Sequence, residues 1–501
     1  MIKILNTKQT KELDAYTIAN EPVASIDLME RASRAFVEWF VQRFDATKKI
    51  GVICGTGNNG GDGLAIARLL QDWRYPVKVW VVKGKTNETE DFKTNLSRLN
   101  GKIKVDEIIN ESDKGLFADR DILIDAIFGS GLSRPTEGIH AQAIRCINAS
   151  DAMKISVDIP SGLSADSHSS GDIVQADYTV TFQHPKLSFF FPQSFRYTGE
   201  WTSVNIGLNK EFIRQSDTQH FVLTTKAIRS LIKPRLKFDH KGTYGHALLV
   251  AGSFGKMGAA VLSAKALLRS GVGLLTVHIP KCGYLIIQGA VPEAMASVDA
   301  AEEVITEIPE PEKYSTIGIG PGLGTNKKSV EAIKNLLKIF KKPIVFDADA
   351  LNILGANKEL MQSIPDGSIL TPHPKEFERL AGSWENDFQR LDKQKELAKE
   401  LRSVVILKGA YTSIATPGGV IYFNPTGNQG MATGGTGDVL TGILTGLLAQ
   451  NYSPEQAAVI GVFVHGLSGD VAKQEKGMIS LISSDLVEYL PQAFSRVVTN
   501  K

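Results

Sequence analysis

The stretch from Asn424 to Leu448, NPTGNQGMATGGTGDVLTGILTGLL, places one carboxylate, Asp438, where a glycine-dense loop gives way to an apolar run. Glycines at 427, 430, 434, 435 and 437 let successive backbone N–H groups turn toward one point. A helix beginning near Gly437 or Asp438 adds the positive end of its dipole, so the stretch is suited to an anion, a phosphate above all. A carboxylate on the lip of such a hole repels the ligand unless it has chemistry to do. The chemistry on offer is taking a proton from a hydroxyl beside a phosphoryl group. The competing reading is a helix N-cap, a place that Asp fills well, and spacing does not choose between the two.

A second group of polar residues stands among glycines in the first half. KKIGVICG, GTGNNGGDG, LAIARLLQDW and YPVKVWVVKG read as strand, glycine loop, helix and strand, a right-handed crossover unit. Gly55, Gly57 and Gly60 satisfy GxGxxG, yet the next strand ends in Lys83, Gly84 and Lys85 rather than the acid that would hold a ribose, so a nicotinamide-cofactor loop is disfavoured. The loop offers Asn58, Asn59 and Asp62 instead. DILIDAIFGSGLSRP ends a second apolar run in Asp125 and a glycine loop with Arg134, and KISVDIPSGLSAD ends a third in Asp158 and Ser161. The carboxyl ends of strands in an open parallel sheet share one edge, where ligands bind. One Asp after a strand is usually a turn residue; three from separate strands, each beside glycines, point to a site.

Single residues carry less. Lys408, beside Gly409 at a strand end, suits either a phosphate or a solvated surface. His373 lies between prolines in TPHPKEFER, a rigid polar loop from which Glu376 and Arg379 could also reach a ligand. His184, followed by Lys186 after DYTVTFQ, is read as a structural histidine.

The elements that must position these groups alternate between strands and helices throughout. The first helices, Gln9 to Phe44 with Leu28, Ala32, Ala35, Phe36, Trp39 and Phe40 at helical spacing, read as core and not site. In the second half HALLVAGS, STIGIGPGLG, PIVFDADALNIL, SILTPHPKEFERL and SVVILKGAYTSIATPGG are apolar runs ending in glycine, proline or charge, with no repeat period. A chain of 501 residues exceeds what one core usually serves. Polar NKEFIRQSDTQH marks a boundary, giving domains 1–218 and 222–501. With 56 Lys+Arg against 54 Asp+Glu and no long basic run, neither nucleic acid nor an anionic membrane is implied. Three cysteines with no CxxC pair argue against a disulfide framework or zinc site and for a reducing compartment. With neither a leader pattern nor an apolar run near 18 residues, a cytoplasmic protein is expected.

With both halves laid out, the chain resembles the fused bacterial NAD(P)H-hydrate repair enzymes, which join an NAD(P)HX epimerase to an NAD(P)HX dehydratase. The strings that carry the resemblance are GNNGGDG at Gly57 to Gly63, DAIFGSGL at Asp125 to Leu132 and DIPSGL at Asp158 to Leu163. They continue with GPGLG at Gly320 to Gly324, TPHPKEFERL at Thr371 to Leu380, KGAYT at Lys408 to Thr412 and GNQGMATGGTGD at Gly427 to Asp438. Gln429 stands where the family often has proline, and Ala32-Ser33 where Ala-Gly is common.

The resemblance implies an α/β protein of two domains, a Rossmann-like three-layer sheet domain followed by a ribokinase-like α/β domain. In the first, Asn58, Asn59, Gly60, Gly61 and Asp62, the loop Gly129, Ser130, Gly131, Leu132, Ser133, Arg134 and Pro135, and Asp158 are implied to hold the hydrated nucleotide. Asn59, Asp125 and Ser161 are implied to ligate potassium, which oxygen ligands suit. In the second, Gly322 with His373, Pro374, Lys375, Glu376, Phe377, Glu378 and Arg379 are implied to meet the hydrate. ADP falls to Lys408, Gly409, Ala410, Tyr411 and Thr412 and to Asn428, Gln429, Gly430, Met431, Ala432, Thr433, Gly434, Gly435, Thr436 and Gly437. Asp438 and Asp158 are the implied catalytic groups. Magnesium is expected with the phosphates, Asp347 and Asp349 being candidate ligands, and the partners are NADHX, NADPHX and ADP, with a homo-oligomer favoured. Two rivals are a ribokinase-like small-molecule kinase, which would not need the first half, and a first half that serves as a binding or scaffold module.

Overall fold

In a computed structural model the described residues are 1–84, 87–108, 115–132 and 134–499; Lys85 and Ser133, named above, lie outside them. The chain divides into two compact units, one of residues 3–218 with 386–388 and one of residues 1–2, 219–385 and 389–501.

The smaller unit is built on strands β1 (Ile50–Cys54), β2 (Val77–Val82), β3 (Val105–Ile108), β4 (Ile122–Ala126), β5 (Met153–Val157), β6 (Tyr178–Phe182) and β7 (Glu200–Val204). They lie in the order β3-β2-β1-β4-β5-β6-β7, every pairing parallel. All residues of β1 and β4 are buried, because a parallel sheet is covered on both faces and its central strands are apolar throughout. On one face Val52 and Cys54 pack with Phe36, Phe40 and Leu64; on the other Ile53, Trp80 and Leu123 pack with Ile144 and Ile147. The covering helices include α1 (Thr7–Asn20), α2 (Ser25–Val41), α3 (Asn58–Asp72), α4 (Glu90–Leu99) and α5 (Gly138–Asn148). The turn from β1 into α3 is tight enough that a Cβ on Gly60 would fall 1.9 Å from the Gly55 carbonyl oxygen, so the glycine there is a steric necessity.

The larger unit carries β8 (His220–Val222), β9 (His246–Val250), β10 (Leu274–Ile279), β11 (Met295–Val298), β12 (Thr316–Ile319), β13 (Ile344–Phe346), β14 (Ile369–Leu370), β15 (Val404–Leu407), β16 (Ser413–Ala415) and β17 (Ile421–Phe423). Their order is β8-β17-β16-β15-β14-β13-β12-β9-β10-β11. Pairings are parallel except β15 with β16 and β16 with β17, so SVVILKGAYTSIATPGG forms a hairpin where the sequence suggested a single run. The helices that matter to the site are α6 (Met257–Arg269), α7 (Ala348–Ala356), α8 (Pro374–Ala381), α9 (Thr436–Ala449) and α10 (Pro454–Lys476). From Val439 onward α9 is entirely buried. It meets α6 closely because Gly442 and Gly446 present no side chain there: a Cβ on either would come within 2.2 and 2.9 Å of the Ser263 and Leu267 carbonyl oxygens.

Candidate functional sites

A cavity of about 1370 Å³ opens at the carboxyl ends of the smaller unit's strands. Asn58, Asn59 and Asp62 from the start of α3 line it, as do Gly129, Ser130, Gly131, Leu132, Arg134 and Pro135 after β4, and Asp158 after β5. Gly60 and Gly61 do not line it; both are buried, and the Gly61 carbonyl accepts from Asn95 at 3.2 Å. Asp125 and Ser161 are fully buried and also off the cavity wall. Asp125 lies opposite Ser156 in the β4/β5 ladder and accepts from that hydroxyl at 2.8 Å. It also takes the Ser161 N–H at 2.8 Å, the Ser161 hydroxyl at 2.5 Å and the Ile127 N–H at 3.3 Å. All its donors are neutral. Beside this group Asn59 packs against Gly129, with its buried Nδ2 left without a hydrogen-bond partner.

Asp158 has a left-handed backbone, φ 65°, which costs strain in a residue other than glycine and is typical of functional turns. Its carboxylate accepts from Lys186 Nζ at 2.8 Å, Thr181 Oγ1 at 3.1 Å and the Phe182 N–H at 3.2 Å. Sequence reasoning missed Lys186 as a site group. It is only 3 % exposed and lies on the cavity wall, brought there by the turn after β6. His184 stays structural: one ring nitrogen meets the Lys3 carbonyl at 3.0 Å, and burial pulls it down to about 4, hence neutral. The first helix, read from sequence as core, also sends Asp14 to the cavity. Burial and then the Asp158 charge push its carboxyl up to about 6, and burial drives Asp62 well above the carboxylate range. Nothing in the apolar spacing of α1 distinguishes Asp14 from a solvated residue.

In the larger unit α9 starts at Thr436 and its N-cap is Gly435, with φ 93°. Asp438 is therefore the third residue of the helix, and the N-cap reading is corrected. No described residue donates to its carboxylate. Burial and the nearby Asp347 push it up to about 7, against the opposing pull of Lys408. Lys408 is no solvated lysine: Nζ lies 2.8 Å from Asp347 and 4.0 Å from Glu376. A Cβ on Gly437 would sit 3.4 Å from that ammonium, so Lys408 stands against the first turn of α9. Asp347 also accepts from Thr371 and Thr441, each at 2.8 Å. Burial raises its carboxyl, but Lys408 and these hydrogen bonds outweigh it and hold Asp347 below the usual range.

The glycine loop is pinned at both ends by α10. Asp470 accepts from the Gly427 N–H at 2.9 Å and from Asn428 Nδ2 at 3.0 Å. His465, held neutral by burial at about 4, donates to the Thr436 carbonyl at 2.9 Å. Asp470, His465, Thr371 and Thr441 escaped sequence reasoning because each acts through another residue. Between the pins, Met431 packs on Gly469 of α10, and Gly434, whose carbonyl accepts from Ser483 at 2.6 Å, leaves open space where a Cβ would be. Gly409 and Thr412 close the KGAYT turn on themselves at 3.0 Å.

Of the hydrate-binding candidates, His373 is the N-cap of α8, its Nδ1 accepting from the Lys375 and Glu376 N–H groups while Glu376 returns to the His373 N–H at 2.9 Å. Phe377 is wholly buried, 5.6 Å from Trp384, and offers a ligand no surface. Arg379 donates to Asn352, which bonds Asp349. Gly322 has φ 63°, and its carbonyl accepts from Ser253 at 2.7 Å. The magnesium candidates are both hydrogen-bonded within the protein. Asp347 is bonded as above, and Asp349 takes the Gly324 N–H at 2.8 Å and Lys256 at 3.3 Å.

Both units have counterparts among known proteins. Residues 247–492 match the family described as NAD(P)H-hydrate dehydratase, and residues 25–188 match the YjeF-related protein N-terminus. A bifunctional NAD(P)H-hydrate repair enzyme of Moorella thermoacetica is 37 % identical over 514 residues, covering 97 % of this chain and 96 % of that protein. The corresponding enzyme of Escherichia coli is 32 % identical over 487 residues, covering 95 % and 90 %. Among solved structures, a ribokinase-like superfamily protein of Enterococcus faecalis is 26 % identical with TM-score 0.50, over 56 % of this chain and 98 % of its own. No helix among the described residues is long and apolar enough to cross a membrane. Identity of 37 % across nearly the whole of both chains, with a family match in each half, places the chain in the family of bifunctional NAD(P)H-hydrate repair enzymes.

Proposed function

We propose that residues 222–501 dehydrate the S epimer of NADHX and NADPHX at the expense of ADP, with Asp438 as the base. The observation that carries this is a carboxyl free of hydrogen bonds, pushed up to about 7, in the first turn of a helix behind a glycine loop. Hydroxide is a poor leaving group, and the hydroxyl on C6 of the hydrated ring must be activated. Asp438 takes the hydroxyl proton, the oxygen attacks the β-phosphorus of ADP, and AMP leaves. The ring nitrogen then expels phosphate from C6, and loss of a proton from C5 restores the double bond. Backbone N–H groups from Asn428 to Gly437, with Lys408, would hold the phosphates. Magnesium, when bound with the nucleotide, supplies charge neutralisation; Asp349, whose second oxygen meets only Asn352 among the described residues, at 3.4 Å, is the better placed of the two candidates to hold it, and no step here depends on it.

Residues 1–218 carry the epimerase in this proposal, with the hydrated ring in the cavity beside Asp158. Loss of water from C6, driven by the ring nitrogen, leaves a planar carbon that water re-enters from either face. Asp125, Ser161 and Asn59 fit a potassium ion. Asp125 is a buried carboxylate with only neutral donors, and Asn59 is a buried amide with an unsatisfied group. The bound cation would supply the missing positive charge and fix the loops around the cavity. Three free cysteines support a cytoplasmic protein, and a homo-oligomer is carried over from the family. The test is to incubate the full chain with both NADHX epimers, with and without ADP and magnesium. Return of NADH absorbance only with nucleotide supports the reading; return without it, or none at all, overturns it.

A further inference from the structure

The cavity of the smaller unit holds more acid–base equipment than Asp158 alone. Asp14, Asp62, Asp158 and Lys186 all line it, delivered by α1, the start of α3, the turn after β5 and the turn after β6. They are not equivalent. Lys186 is bonded to Asp158 at 2.8 Å and, with Thr181 and the Phe182 N–H, surrounds that carboxylate with three donors. Asp14 has no such donor: no described residue gives it a hydrogen bond. Its position is nevertheless fixed. A capping box between Asn6 and Gln9 closes the start of α1, the Thr7 N–H bonds Asp166 at 2.7 Å, the Thr7 hydroxyl bonds the Ser130 carbonyl at 3.2 Å, and the neighbouring Leu13 is fully buried. A helix anchored to the Gly129–Pro135 loop thus holds a bare carboxyl over the same space that Asp158 faces.

Resting on the reading of this cavity as the epimerase site, we propose that Asp14 is the second acid–base residue of the epimerisation, the proton donor to the departing C6 hydroxyl where Asp158 is the acceptor. Two carboxyls in one cavity, one ringed by three donors and one with none, are the pattern by which one site supplies both a base and an acid. Protonated Asp14 gives its proton to the hydroxyl on C6. The C6–O bond breaks as the ring nitrogen's lone pair forms C=N, and water departs. Water then adds to the opposite face of C6, the C=N pair returns to nitrogen, and the water proton passes to Asp158. One proton has moved from Asp14 to Asp158, and it returns through the shared cavity, where Asp62 also stands. Burial and the charges of Asp158 and Asp14 favour the protonated form of Asp62, which suits a relay.

The test uses the full chain without nucleotide, so that dehydration is silent, and follows conversion of purified R-NADHX to S-NADHX by chiral-resolved chromatography. Asp14→Asn keeps the shape but has no proton to give, and its epimerisation rate is expected to fall by a factor of about 100 or more. Asp14→Glu is expected to recover at least a tenth of the wild-type rate. S-NADHX dehydration with ADP in the same preparations reports that the chain is folded. An Asp14→Asn rate within threefold of wild type overturns the assignment. If Asp158→Asn is then still impaired, the site stands and only Asp14 falls; if both variants run at the wild-type rate, the epimerase reading of the cavity falls with it. Should Asp14→Asn also melt at lower temperature, Asp14→Glu decides, since a rate as low as that of the amide overturns the proposal.

Discussion

The Lys408 ammonium lies 2.8 Å from a carboxylate oxygen of Asp347, which also accepts from Thr371 and Thr441. Charge in the larger unit's site is divided by this pairing. Asp347 is held ionised below the usual range, while Asp438, one helical turn from Thr441 and with no donor of its own, stays up at about 7. A base beside phosphates needs that division. A carboxylate held ionised well below the usual range is a weak proton acceptor.

Lys408→Met tests the pairing through stability. It strands Asp347, which is 1 % exposed, as an unpaired buried charge, a change that typically costs about 3–5 kcal/mol. The single variant should melt well below wild type, and Lys408→Met with Asp347→Asn should recover most of the loss, because the uncompensated charge has gone. Neither should dehydrate at the wild-type rate. A double variant no more stable than the single would show that the pair does not set the energetics here.

Asp438→Asn should abolish nucleotide-dependent dehydration and make the larger unit more stable at pH 8. Folding raises this carboxyl from 3.8 to about 7, so the folded state binds the proton more tightly. Ionising it costs folding free energy that accumulates between pH 4 and about 7 and is constant above. The amide avoids that cost. Its melting-temperature advantage should be full at pH 8 and shrink as pH falls toward 4. In wild type the dehydration rate at saturating S-NADHX should rise with pH through about 7 as the base form fills. Scanning calorimetry and a pH–rate profile read both signs, and an amide variant that turns over near the wild-type rate would return Asp438 to a structural role.

What the sequence reveals of these sites divides along physical lines. Glycine loops at strand ends are visible because positive φ and close approach restrict the residue type; Asp125 and Asp158 are visible because an acid after an apolar run is unusual, and Asp438 because a carboxylate on the lip of a glycine loop is. Asp14 and Lys186 are not: one sits on a helix whose other residues are ordinary, and the other follows a histidine that is itself inert. The role of Lys408 is half visible. Its place at a strand end is in the sequence, but its partner Asp347 is 61 residues away, and only the β13-β14-β15 ladder brings them together. The start of α9 came out one or two residues late, since Gly435 in its left-handed conformation, and not Asp438, caps it.

Asp470→Ala should weaken nucleotide binding without touching the reacting groups. The carboxylate ties down the Gly427 N–H and Asn428 at 2.9 and 3.0 Å, and each charge-assisted hydrogen bond is worth about 1.5–3 kcal/mol. Released at that end, the loop must be ordered by the ligand. The expected outcome is an ADP KM raised about tenfold or more, with kcat at saturating nucleotide within a few-fold of wild type. A fall in kcat with unchanged KM would place Asp470 in the chemical step instead.

The fate of the R epimer separates an epimerase from a scaffold in the first half. If the second half dehydrates only the S epimer, wild-type protein with ADP should clear a mixed pool completely, because R is fed through the first cavity. Asp158→Asn should leave a residue of R that disappears only by spontaneous epimerisation, with S consumed at the normal rate. Losing a carboxylate removes proton transfer at C6, worth a factor of about 100–10,000, but it lies in a different compact unit from Asp438. Asp125→Ala should leave the same residue by another route. It takes away the acceptor of Ser156 and Ser161 and the one anionic group of the proposed potassium site, so raised potassium should restore part of the rate if the cation still finds Asn59 and Ser161. Asp158→Asn, whose carboxylate is bonded to Lys186 and not to that group, should show no such response to potassium. Chiral-resolved chromatography of the remaining hydrates decides the matter: equal loss of R in wild type and both variants would remove the epimerase assignment and leave a binding module in its place.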